Sequence, residues 1–174
     1  MYMFSLIWFQ SLAEALMCCI EVITLASVLY GGILAFLQWR RSAGESKAKF
    51  LKSLLEEFYN TEIVDFFYEI DYGNFTYDEE FHLGPQERIT DKALSLASYI
   101  CYLRETNVVS EVEFKFFQYD IDRLARNREI RKYIHFLLGH AKKNATEFSY
   151  QQFYDYAKRK GFIKEELFEK GLRK

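Results

Sequence analysis

Cysteine is scarce in this chain: Cys18 and Cys19 fall inside an apolar segment, and Cys101 is the only thiol beyond it. Thiols so placed form neither a disulfide framework nor a zinc set, and they fit a reducing compartment. Pro85 is the only proline among 174 residues, and glycine numbers 8. So few helix breakers favour helices over turn-rich folds. Basic residues are missing from the first 39 positions, where Glu14 and Glu21 are the only charges. From residue 40 to 174 the 23 basic and 23 acidic side chains cancel. A neutral remainder supplies no electrostatic footprint for general nucleic-acid binding. Phosphate-cradling glycine loops, His-Glu-x-x-His and paired Cys-x-x-Cys motifs are absent, so no catalytic residue is named and no cofactor is expected.

What is present first is an apolar run from Met1 to Trp39, uncharged from Val22 onward. A helix needs about 20 apolar residues to cross the hydrocarbon core. Ala15 to Trp39 meets that length, with Glu21 as its one charge. A cleaved signal peptide would show a basic start, a short apolar stretch and small residues at its end. Here the run has no basic start and closes on bulky Phe36-Leu37-Gln38-Trp39 before Arg40-Arg41. Residues 1–41 are therefore expected to be an uncleaved transmembrane segment, with the lipid bilayer as its partner. Arg40, Arg41, Lys47, Lys49 and Lys52 crowd its C-terminal side. Lys and Arg accumulate on cytoplasmic flanks, which predicts N-out, C-in topology in the cell inner membrane. Residues 1–13 would extend past the outer interface or lie along it.

At about 100° per residue, Gln10, Glu14, Met17, Glu21, Thr24, Ser27, Gly31, Ala35 and Gln38 share one side of this helix. Small and polar residues on one face let helices approach and hydrogen-bond across the contact. Glu14, Glu21, Thr24, Ser27 and Gly31 are thus candidates for homo-oligomeric packing of the span. The competing reading leaves both carboxyls at the outer headgroups.

Beyond a hinge expected at Ser42-Ala43-Gly44, residues 42–174 read as a cytoplasmic bundle of five to six helices, giving an all-α chain. The first helix after the hinge covers about 45–59, with Phe50, Leu51, Leu54, Leu55 and Phe58 on one face. A short helix follows Thr61 and stops near Gly73-Asn74. Residues 74–84 read as an acidic loop, and Pro85 opens a helix to about Glu105. Ser110 and Glu113 form a capping box for a helix expected to bury Val112, Phe116, Phe117, Ile121 and Leu124. A further helix spans about 128–142, and Ser149 with Gln152 suggests a second capping box for a helix through Lys160. The tail, 162–174, is charged.

Two charged groupings could carry chemistry. Glu62, Asp65 and Glu69 follow i, i+3, i+7 spacing and could offer oxygens to a divalent cation, but with no base or nucleophile beside them a solvated helix face is the better reading. Arg123, Arg126, Arg128 and Arg131 could capture phosphate oxygens with their guanidinium forks. Asp120, Asp122 and Glu129 are interleaved with them, and such mixed runs are usually a salt-bridged surface. His135 and His140 stand five apart, on different helix faces, and His82 stands alone in a loop.

Leu37-Gln38-Trp39-Arg40-Arg41 at the membrane exit is followed by Asp91-Lys92-Ala93-Leu94 and Tyr99-Ile100-Cys101-Tyr102-Leu103. Phe116-Phe117-Gln118-Tyr119-Asp120 and Asn127-Arg128-Glu129-Ile130-Arg131-Lys132-Tyr133 come next. This order, over residues 30–140, resembles a broad group of uncharacterised small bacterial single-span membrane proteins with a helical cytoplasmic domain. Some of them stand beside phage-defence genes, so the resemblance implies a non-enzymatic effector or accessory of antiviral defence with a cytoplasmic protein partner. A nucleotide-sensing, ligand-gated membrane effector is the alternative function, and a membrane-tethered metal-dependent enzyme a third.

Overall fold

The computed structural model describes the backbone of residues 2–78 and 80–163, and the side chains of Met17, Ile20, 23–78 and 80–163. Six helices and no strand occur among them: α1 (Tyr2–Phe58), α2 (Thr61–Asp71), α3 (Pro85–Glu105), α4 (Glu111–Arg126), α5 (Arg128–Asn144) and α6 (Gln151–Arg159). The chain divides into two compact units, 1–55 and 56–174.

In the first unit α1 is unbroken, and the hinge expected at Ser42-Ala43-Gly44 does not form. One glycine inside a helix costs about 1 kcal/mol relative to alanine, too little to end a helix that continues on both sides. Arg41 Nε donates to Glu45 Oε1 at 3.2 Å across those residues. Ile23, Leu25, Val28, Leu29, Tyr30, Ile33, Leu34, Phe36, Leu37 and Trp39 are 48–67% exposed, around the helix on all but the side that carries Thr24, Ser27 and Gly31. Among the described residues one helical segment, Ile23–Phe58, is long and apolar enough to cross a membrane.

The second unit is built on α3, which packs against α2, α4 and α6, while α5 packs on α4. Its core is aromatic. Phe58, fully buried at the end of α1, meets Phe67 at 5.8 Å and Phe117 at 5.6 Å between ring centres. Residues 74–78 and 80–84 are loop as expected, but they reach into the core: Phe75 and Phe81 are buried, and Phe75 lies edge-on to Phe66 at 5.2 Å.

In this unit two details depart from what the sequence predicts. On α4 the buried face is Phe114, Phe117, Ile121 and Leu124, whereas Val112 and Phe116 are 71% and 63% exposed. Helical spacing of three and four from Phe114 sets that face and turns Val112 and Phe116 away from it. The Ser110–Glu113 capping box does form. The second one does not: Tyr150 is the N-cap of α6, and no side chain caps locally. Instead Phe153 N–H donates to Ser98 Oγ of α3 at 3.4 Å, so the cap comes from a neighbouring helix.

Candidate functional site

Asn127 ends α4 and begins α5, its extended backbone (φ −63°, ψ 131°) leaving its side-chain oxygen to accept from the Glu129 and Ile130 N–H groups. The four arginines flank this break, and their environments differ. Arg123 is largely buried, with Nη2 at 3.0 Å from Asp71 Oδ2 and Nη1 at 3.1 Å from Asp120 Oδ1. Its guanidinium lies 5.0 Å from the ring centres of both Phe67 and Tyr119. Asp120, only 7% exposed, also accepts from Tyr59 Oη at 2.8 Å, and the same hydroxyl approaches the Phe116 carbonyl at 2.8 Å. A buried carboxylate is tolerated here because a cation and a hydroxyl both serve it.

Arg126 and Arg131 meet at Phe162. The Arg126 guanidinium lies 4.7 Å from its ring centre, and Arg131 Nη1 donates to its carbonyl at 2.9 Å. Arg128 is exposed beside Glu129 and joins neither group. Arg123 and Arg126 do share a cleft of about 380 Å³ with Ile70, Asp71, Tyr119, Asp122 and Asn127. Two guanidiniums and two carboxylates balance in its walls, so the cleft suits a ligand with both donors and acceptors rather than a bare anion.

A second polar cluster had no distinct signal in the sequence. Asp91 Oδ1 of α3 accepts from Tyr133 Oη of α5 at 2.7 Å and from Tyr150 Oη at 2.9 Å. One turn earlier, Glu87 Oε1 lies 2.9 Å from His82 Nδ1, and Glu87 Oε2 accepts from Leu83 N–H at 2.6 Å. On its other edge the imidazole meets Tyr77, whose Oη lies 3.2 Å from His82 Nε2. Tyr77 N–H in turn donates to Glu129 Oε2 at 3.2 Å. The loop histidine is therefore engaged at both nitrogens. Burial alone would raise the Glu87 carboxyl, yet the His82, Leu83 and Tyr133 hydrogen bonds hold it below the usual range. Burial and the Asp91 carboxylate push the Tyr133 and Tyr150 phenols well above theirs. Such groups hold their protons at neutral pH, and the cluster straps the 77–84 loop, α3, α5 and the start of α6 together.

Glu62, Asp65 and Glu69 line an open cleft of about 570 Å³ against Arg88 and Lys92. Lys92 Nζ is 2.7 Å from Glu62 Oε2 and lowers that carboxyl below its ordinary value. Among the described residues no group of three or more His, Cys, Asp or Glu is placed to hold a metal ion. Burial pushes the Cys101 thiol up to about 12, so it is not a thiolate nucleophile at neutral pH.

In the apolar helix, Thr24 Oγ1 donates to the Ile20 carbonyl at 2.7 Å and Ser27 Oγ to that of Ile23 at 2.8 Å. Their oxygens retain lone pairs for a neighbour. A Cβ added at Gly31 would meet nothing within 4 Å, so its surface is open. Glu14 and Glu21 lie in the helical backbone, and their side chains fall outside the described residues.

No protein-family model, curated protein or solved structure matches this chain.

Proposed function

We propose that this protein is an interaction or signalling module anchored by its N-terminal helix in the cell inner membrane, N-terminus out and helical unit in the cytoplasm. The observation that carries the reading is the broad exposed apolar surface of α1 from Ile23 to Trp39, interrupted only on the side of Thr24, Ser27 and Gly31 and followed at once by Arg40 and Arg41. A helix with so broad an exposed apolar surface suits lipid, and its backbone groups are satisfied within the segment, as a bilayer core demands. The stripe of Thr24, Ser27 and Gly31 supports homo-oligomeric association of the spans. Consumption of Asp91, Glu87, Tyr133 and Tyr150 by one another supports a binding module rather than a catalyst. Its place as an effector or accessory of antiviral defence, acting with a cytoplasmic protein partner, rests on the resemblance to small single-span bacterial proteins.

Alkaline carbonate should leave the chain in the membrane pellet, and protease added to spheroplasts should spare the C-terminal unit. Release by carbonate would overturn the anchoring, and digestion with intact membranes would reverse the orientation. The cleft bearing Arg123, Arg126 and Tyr119 favours a second reading, a ligand-gated effector that senses a nucleotide. A ligand present at a hundredfold excess over its Kd stabilises the fold by about 2.7 kcal/mol. A nucleotide and cyclic-oligonucleotide screen should then find a thermal shift that Arg126→Ala abolishes; a flat screen with a co-purifying protein would favour the partner-recruited module.

A further inference from the structure

We infer that the stretch of α1 just beyond Trp39 is a binding surface for anionic phospholipid headgroups, graded along the helix from Arg40 and Arg41 outward. The inference rests on the membrane-anchored reading, and it adds a ligand class to it. Residues 40–52 carry Arg40, Arg41, Lys47, Lys49 and Lys52 against a single acid, Glu45. That excess stands out because residues 40–174 as a whole are neutral. Glu45 approaches Arg41 at 3.2 Å, but both side chains are exposed, at 61% and 84%, so this pair is weak and leaves the guanidinium able to meet another anion.

The missing hinge makes the surface graded. A break at residues 42–44 would let all five cations lie along the headgroups. An unbroken α1 carries them away at about 1.5 Å per residue. Counted from Trp39, Arg40 and Arg41 stand within about 3 Å of the exit, Lys47 at about 12 Å and Lys52 at about 20 Å. Side chains on a helix lean toward its N-terminus, here back toward the bilayer, which brings Lys47 closer than its backbone suggests. Attraction by a charged surface falls off within a screening length of about 8 Å at physiological salt. Arg40 and Arg41 therefore dominate, Lys47 contributes less, and Lys52 contributes little. Guanidiniums also pair with phosphate oxygens in a fork geometry that an ammonium lacks.

The experiment uses the full chain with Trp8→Phe, which leaves Trp39 as the only tryptophan. It is reconstituted into phosphatidylcholine bilayers with increasing fractions of lipid brominated near the carbonyl end, carrying either a phosphatidylglycerol or a phosphatidylcholine headgroup. Brominated phosphatidylglycerol should quench Trp39 at severalfold lower fractions than brominated phosphatidylcholine. Arg40→Gln and Arg41→Gln should each reduce that preference by up to about fivefold, and Lys52→Gln should leave it unchanged. About 1 M salt, with a screening length near 3 Å, should diminish it. Equal quenching by the two lipids would overturn the headgroup surface while leaving the anchored helix intact. Absence of quenching by either would place Trp39 outside the bilayer and overturn the anchored reading itself. A loss at Lys52→Gln equal to that at Arg40→Gln would overturn the gradation.

Discussion

Tyr133 is 1% exposed, and its hydroxyl donates to Asp91 at 2.7 Å. Tyr133→Phe should lower the urea midpoint of the full chain in detergent, at a cost of about 1–2 kcal/mol. Combining it with Tyr150→Phe should cost more than the sum of the single changes, because Asp91 then loses both hydroxyl donors. Glu87 makes an acid-side prediction. Its folded-state value is depressed, so its contribution is complete above the ordinary 4.5 and drains as pH falls through the lower folded value. Glu87→Gln should flatten that acid limb in pH-dependent unfolding. The base side has the opposite sign. Tyr59, Tyr133, Tyr150 and Tyr156 hold their protons more tightly when folded, so their contribution is complete below 10.0 and is lost as pH rises beyond it. None of this was legible in the sequence, where His82 stood alone and Asp91 and Tyr133 are 42 positions apart. Only the folded chain brings them within hydrogen-bond reach.

Among the elements, helix starts separate what is local from what is not. The Ser110 cap of α4 depends on residues three apart, and Ser110→Ala should cost about 1 kcal/mol. At α6 the donor pattern is served by Ser98, so Ser98→Ala should lower the thermal midpoint while Ser149→Ala leaves it nearly unchanged. Equal effects at Ser98 and Ser149 would contradict the cross-helix cap. Helix α1 makes a further prediction through Gly44, where an added Cβ would meet nothing within 4 Å. Gly44→Ala should strengthen the helix by about 0.5–1 kcal/mol, seen as slower amide exchange over residues 41–46. A working hinge would show fast exchange there in the native chain. Gly31→Leu should weaken association of the spans in detergent without changing insertion, because bulk at that surface holds two backbones apart. Light scattering that reports a monomer for both forms would remove the packing role of the stripe.

At the scale of the whole molecule, an apolar helix and a self-satisfied helical unit share one chain, and the proposed effector role is tested where they act together. Expression with the right phage or partner should depolarise the membrane, and Glu21→Leu should alter that response; unchanged potential under every stimulus would leave an anchored scaffold. The apolar run, the basic flank, the all-helical class and most helix boundaries could be read from the chain alone. They depend on residue type and short spacing, which act before any distant contact forms. Tertiary structure decided what caps α6, that Asp91 meets Tyr133 and Tyr150, and that Arg123 of α4 is held by Asp71 of α2. Each of these is a competition among groups far apart in sequence. Packing settles it by matching a buried donor to the acceptor that the fold brings within about 3 Å.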